Sequence, residues 1–188
     1  MPLSYAKILD LLEAALPESL LQKYGLTKAQ TANISSINEL IPLLVNFKTD
    51  ELFAAKIQAF VREFSKTETK VYSYHFDRGN PFNGALKGVA HHALDLEYVF
   101  GNFIEGFPDK RDVQLSEALM RYWVGFANGK EPWADASTGQ ALHIGRDATL
   151  AVVPREQVTS RRWDAYADME KHWDQVRKVG NEIMTAKM

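Results

Sequence analysis

Gly88-Val89-Ala90-His91-His92-Ala93-Leu94-Asp95-Leu96-Glu97-Tyr98-Val99-Phe100-Gly101 is the stretch on which the reading of this chain turns. From Ala93 to Phe103 the residues are densely apolar, which predicts a helix with a buried face. Two histidines stand directly ahead of that helix. Further upstream, Val71-Tyr72-Ser73-Tyr74-His75-Phe76 is rich in β-branched and aromatic residues and predicts a strand. Asp77-Arg78-Gly79-Asn80-Pro81 closes it as a loop. This order sets an imidazole on a loop beyond a strand end, the place where α/β proteins carry their chemistry. Imidazole has the unperturbed pKa nearest neutrality, so it can take a proton and return it at one pH.

Downstream, Asp112 is the expected cap of a helix on which Leu115, Leu119, Tyr122, Trp123 and Phe126 share a face. Asn128-Gly129 and Pro132 end it. Residues 134–160 lack helical period, and Ala141–Ile144 and Thr149–Val153 fit short strands. A last helix begins near Arg161, with Trp163, Tyr166, Trp173, Val176 and Val179 at helical intervals and Lys178 and Gly180 at its end. Upstream, Ser4 caps a helix carrying Ile8, Leu11, Leu12 and Ala15 that Pro17 stops. A short turn around Leu20, Leu21 and Tyr24 ends at Gly25. Ile37–Phe47 is interrupted by Pro42, and from Thr49-Asp50 a helix lines up Leu52, Phe53, Ile57, Phe60, Val61 and Phe64. Many helices accompany few strands, and the strands fall in the second half. A doubly wound sheet alternates throughout, so the pattern suggests one from which earlier strands are missing.

Composition narrows the classes. In 188 residues, 46% are hydrophobic and 24% charged, with a formal net charge of -2, as in an ordinary globular domain. No basic field is present, so nucleic acid is not an expected partner. With no cysteine there is neither a disulfide framework nor a thiolate nucleophile. No apolar run is long enough to span a bilayer. Met1-Pro2-Leu3-Ser4-Tyr5 has no basic stretch leading into an apolar one, which leaves localisation open.

Counted from His92, the chain reads Ala93, Leu94, Asp95, Leu96, Glu97, Tyr98, Val99, Phe100, Gly101. This resembles the catalytic-histidine segment of the type-B carboxylesterases, the α/β-hydrolases that include lipases and cholinesterases. That segment runs histidine, small residue, any residue, acid, aliphatic, any residue, aromatic, aliphatic, Phe and often Gly. The family often has Gly where Ala93 stands and Glu where Asp95 stands. Val71–Phe76 resembles the strand that precedes the histidine loop, and Phe126-Ala127-Asn128-Gly129-Lys130-Glu131-Pro132-Trp133 resembles the phrase ending the next helix. The resemblance is good over residues 70–180 and weaker before them.

The resemblance implies an α/β fold, the C-terminal part of an α/β-hydrolase, helix-rich with a few strands of an incomplete sheet. Residues 1–188 form one such segment, helical over 1–66, with the strand, histidine loop and final helices and strands over 67–188. It implies that His92 is the catalytic general base and acid of a Ser-His-Asp/Glu triad acting on a small-molecule ester, with no cofactor and no metal. Shifting the alignment to His91 puts the acid four residues on rather than three and breaks the aromatic and aliphatic positions. Asp95 reads as a supporting or helix-start residue, because the family draws its acid from a loop upstream. His75, His91, His92 and Asp95 lack the paired spacing of metal ligands. His143 and His172 read as surface or satisfied core histidines, and the four tryptophans as helix-docking residues.

None of the serines lies in Gly-x-Ser-x-Gly, and no glycine-rich oxyanion stretch occurs. The isolated chain is therefore expected to be inactive until an upstream part supplies serine, acid and oxyanion donors. The alternative is a non-catalytic truncated homologue that acts as an interaction or structural protein. An exposed sheet edge would then invite an oligomer or a partner chain.

Overall fold

The computed structural model describes residues 4–185; Met1–Leu3, part of the N-terminal stretch considered above, and residues 186–188 lie outside the described residues. The chain divides into two compact units, one of residues 1–60 with 161–188 and one of residues 61–160.

The first unit is helical. The Ser4 hydroxyl accepts the Lys7 N–H at 3.4 Å and opens α1 (Tyr5–Ala15). Helix α2 (Glu18–Tyr24) ends on Gly25, which takes the left-handed conformation a C-cap requires at φ 68°. Helix α3 (Ile37–Thr49) runs through Pro42 and passes into a π-helical turn over Asp50–Ala54. That widened turn swings Asp50 and Glu51 inward, leaving them 2% and 1% exposed. It leads into α4 (Ala55–Phe64), so the single helix expected from Thr49 onward is two segments. The stripe of Phe53, Ile57 and Phe60 faces outward, at 46%, 53% and 62% exposure.

The expected last helix is likewise two, α7 (Trp163–Lys171) and α8 (Trp173–Thr185), with His172 breaking the register. Gly180 does not end it. A side chain at Gly180 would sit 2.8 Å from Lys48 Nζ, so the glycine makes room for the Lys48–Glu51 ion pair beneath α8. The core of this unit is built from residues such as Ile8, Leu12, Leu21, Leu40, Phe47, Met169 and Val176.

The second unit holds the sheet. Strand β1 (Tyr74–Phe76) pairs in parallel with β2 (Gln140–Ile144), His75 opposite His143, and β2 pairs antiparallel with β3 (Leu150–Pro154). Parallel pairing needs a crossover, and α5 (Leu94–Phe100) and α6 (Lys110–Ala127) provide it. Leu94, Tyr98, Phe107, Leu115 and Leu119 from the crossover pack with Leu142 and Ile144 of β2. The β1 strand is shorter than the 71–76 run.

Asp109, not Asp112, caps α6: its carboxylate accepts the Arg111 N–H at 2.9 Å. Asp112 lies three and seven residues before Leu115 and Leu119, hence on their buried face, and is 0% exposed. The fold is helix-rich with a small mixed three-stranded sheet, which fits part of an α/β-hydrolase. Among the described residues, no helix is long and apolar enough to cross a membrane.

Candidate active site

The candidate site is the loop from Asp77 to Ala93 that joins β1 to α5. The Asp77 N–H continues the ladder by donating to Ile144 O at 2.8 Å. Beyond it the chain forms a closed loop with a pinned neck: Asn80 N–H donates to Val89 O at 3.0 Å, and Gly88 N–H donates to Asn80 O at 2.8 Å. The neck is so narrow that a side chain on Gly79 would lie 2.5 Å from Gly88 O.

Arg78 fixes the start of the loop. Its Nε and one terminal nitrogen bind the two Asp112 oxygens at 2.7 Å each, and Tyr98 donates to the same carboxylate at 2.8 Å. The Asp112 contact holds the Arg78 guanidinium charged more firmly than usual. Burial, with the neighbouring carboxylate second, pushes the Tyr98 hydroxyl pKa up. One buried aspartate thus ties the loop to both crossover helices. In sequence Asp112 reads as a cap; the signal of its buried role is an acid in phase with the apolar stripe of its helix.

The far end of the loop carries the histidine pair. His91 is half-buried and both its ring nitrogens are engaged, Nε2 with Asn80 Nδ2 at 3.1 Å and Nδ1 with His92 O at 3.0 Å. His92 is exposed. Ala93 follows in the left-handed region at φ 66°, ψ 5°, and the helix turns in behind it. Leu94 and Tyr98 anchor α5 at 2% and 0% exposure, whereas Phe100 of the same apolar run is 67% exposed. Asp95 lies in the first turn of α5 and accepts the Tyr74 hydroxyl at 2.6 Å, tying the helix start to β1. Burial, then the Asp95 contact, raises the Tyr74 pKa.

The other candidates lie elsewhere. His75 is buried in β1, and His143 is satisfied by Asp77 at 2.9 Å. Ser160 donates to that same Asp77 oxygen at 2.5 Å. This is not a serine triad, because serine and imidazole both meet the carboxylate and the base does not stand between them. Among the described residues, no group of three or more His, Cys, Asp or Glu side chains converges to hold a metal ion. An open cleft of about 680 Å³ lies on the Arg78 flank of the loop, lined by residues including Asn80, Phe82, Lys87 and Arg146; His91 and His92 are not part of its wall.

Comparison with known proteins gives the loop its context. The profile of the carboxylesterase family matches residues 5–186. The chain belongs to the carboxylesterase family. It is 31% identical to the acetylcholinesterase of Gallus gallus over 87 residues, which are 44% of this chain and 11% of that protein's length. This carboxylesterase-family chain thus spans a small part of the curated relative it matches. No solved structure matches it.

Proposed function

We propose that this chain is the C-terminal portion of a carboxylic ester hydrolase and that His92 is its general base and acid. The supporting observation is the backbone at Ala93. Type-B carboxylesterases often place Gly directly after the catalytic histidine, and a positive φ is what glycine supplies at no steric cost. Ala93 is one of two non-glycine residues with positive φ among the described residues, the other being Ala148. If His91 were the base, the glycine position would fall on His92, which has no such conformation.

In this reading His92 takes the proton of a serine hydroxyl and returns it to the leaving alcohol. Serine, acid and oxyanion donors come from sequence outside this chain. Further strands would add at the edge of β1 that β2 does not cover. No step depends on a cofactor or metal. The chain alone forfeits the nucleophile and the oxyanion terms, so it does not hydrolyse esters measurably. The same β1 edge is where a partner chain would pair if the protein were a non-catalytic homologue.

The test begins with the native transcript, sequenced upstream of Met1. A frame that continues into Gly-x-Ser-x-Gly yields a complete enzyme for assay on a p-nitrophenyl ester. There His92→Ala should lower kcat by about 10⁴-fold or more, and His91→Ala by no more than about tenfold. An unchanged rate in His92→Ala sinks the proposal. Ester turnover by the pure 188-residue chain that vanishes in His92→Ala would refute the inactivity.

A further inference from the structure

The two histidines of the loop have different surroundings, and those of His91 are fully specified. Phe82 N–H donates to Asn80 Oδ1 at 2.9 Å, which fixes which end of the Asn80 amide is oxygen. The other end, Nδ2, can only donate, and it meets His91 Nε2 at 3.1 Å. His91 Nε2 must therefore present its lone pair, which puts the proton of the neutral ring on Nδ1. That nitrogen lies 3.0 Å from His92 O, a carbonyl that can only accept. Asn80 is itself held through its backbone at the loop neck by Val89 O and Gly88 N. The chain of bonds runs from loop neck to amide, to imidazole, to the peptide that follows His92.

We propose that His91 is a positioning residue, locked by Asn80 in the Nδ1–H tautomer so that it grips the carbonyl of His92 and orients the peptide carrying it. The proposal rests on the reading of His92 as the general base only for its functional consequence; the lock stands or falls by itself. Gripping that carbonyl matters because the next residue, Ala93, is held in a conformation that disfavours a side chain. Without the grip, the His92–Ala93 peptide is the natural place for the loop to relax, and the His92 ring would swing with it. Free imidazole favours the Nε2–H tautomer, so the lock leaves a distinctive spectroscopic signature.

The experiment uses the 188-residue chain, labelled with ¹⁵N, in long-range ¹H–¹⁵N spectra of the imidazoles above the ordinary histidine titration range. His91 should be found as Nδ1–H. Asn80→Asp keeps the Phe82 contact and the side-chain size but replaces the donor with an acceptor. With the ring neutral it should turn His91 to Nε2–H, set a lone pair against the His92 carbonyl, and speed exchange of the Leu94 amide, which closes the turn over that peptide by donating to His91 O at 3.2 Å, about tenfold. A parent chain with His91 as Nε2–H, or a tautomer that Asn80→Asp leaves unmoved, overturns the proposal.

His91→Gln keeps a donor near the carbonyl, and His91→Leu removes it while keeping bulk. The Leu94 amide should stay protected in the first and exchange faster in the second; equal protection in both also overturns it. In an active full-length enzyme, Asn80→Asp should lower kcat with little change in KM. Should the tautomer lock be observed while His92→Ala stays active, the reading of His92 has failed and the lock has not.

Discussion

Each of the two compact units buries one aspartate against an arginine and a tyrosine, and the two sites do different things. In the helical unit, Asp50 accepts the Tyr24 hydroxyl at 2.9 Å, Arg162 Nε at 2.6 Å and the Tyr166 hydroxyl at 3.5 Å. In the sheet unit, Asp112 takes both Arg78 bonds at 2.7 Å and Tyr98 at 2.8 Å. Burial leads the forces raising the tyrosine pKa values in both, and Tyr166 reaches about 12. Asp50 binds helices from opposite ends of the sequence, so it serves the closure of the unit. Asp112 binds a loop to the two helices that follow it, so it serves the placement of the histidine pair. One chemical device does two jobs because of what its arginine is attached to.

Removing the carboxylates should separate the two jobs, and these changes carry the largest expected effects. Asp112→Ala strands Arg78, whose side chain is 16% exposed, and leaves the Tyr98 hydroxyl without its acceptor. Loss of one partner of a buried pair costs roughly 3–5 kcal/mol. Asp50→Ala should cost less, about 3 kcal/mol, because the Arg162 side chain keeps 29% of its exposure and can turn to water. Hydrogen exchange under native conditions resolves the two better than a single melting curve. Asp112→Ala should lose protection most within residues 61–160, with the imidazole spectra of His91 and His92 altered. Asp50→Ala should leave those imidazole spectra as they are. Equal disturbance of the histidines by both would break the contrast.

A pair of glycines sharpens it further. A side chain at Gly79 meets the backbone of Gly88 at 2.5 Å, and backbone at a pinned neck cannot move aside cheaply. Gly79→Ala should destabilise by about 1–3 kcal/mol, as overpacking does. A side chain at Gly180 meets Lys48 Nζ at 2.8 Å, the far end of a flexible stem. There the strain is offset by the helix preference for alanine over glycine, about 1 kcal/mol, so Gly180→Ala should change stability by less than about 1 kcal/mol. Urea unfolding of both variants checks the ranking, and a larger loss at Gly180 would show that the Lys48–Glu51 pair is stiffer than its chemistry implies.

What the sequence made legible follows from the range of the interactions involved. Apolar period and local caps are short-range signals, and Ser4, Gly25 and the runs around Leu142 and Val152 were read from them. The histidine loop was read through its resemblance, because a motif compresses long-range geometry into spacing. The buried aspartates were not legible, since Arg162 is 112 residues from Asp50 and Arg78 is 34 from Asp112. Asp112 looks like a cap in sequence because caps and buried acids use the same residue near the same helix end. The split of the last helix leaves no mark in the sequence, because the apolar period carries through His172 almost unbroken. Gly180 reads as a stop because a glycine that ends a helix and one that makes room for an ion pair look alike in sequence.

The smallest expected effect is the most informative about the loop. Ala93 sits at φ 66°, where an L side chain meets its own carbonyl and costs roughly 1–2 kcal/mol. Ala93→Gly removes that penalty and adds freedom to the unfolded chain, and the two nearly offset, leaving a gain of about 1 kcal/mol or less. Stability alone would hardly register it. The local consequence is clearer: if the His91 grip on the His92 carbonyl works against strain at Ala93, relieving the strain makes the grip less necessary. Ala93→Gly combined with Asn80→Asp should therefore restore much of the Leu94 amide protection that Asn80→Asp alone loses. Two effects that simply add would mean that strain and grip act separately, and that the loop is held by Arg78 and Asp112 without help from His91.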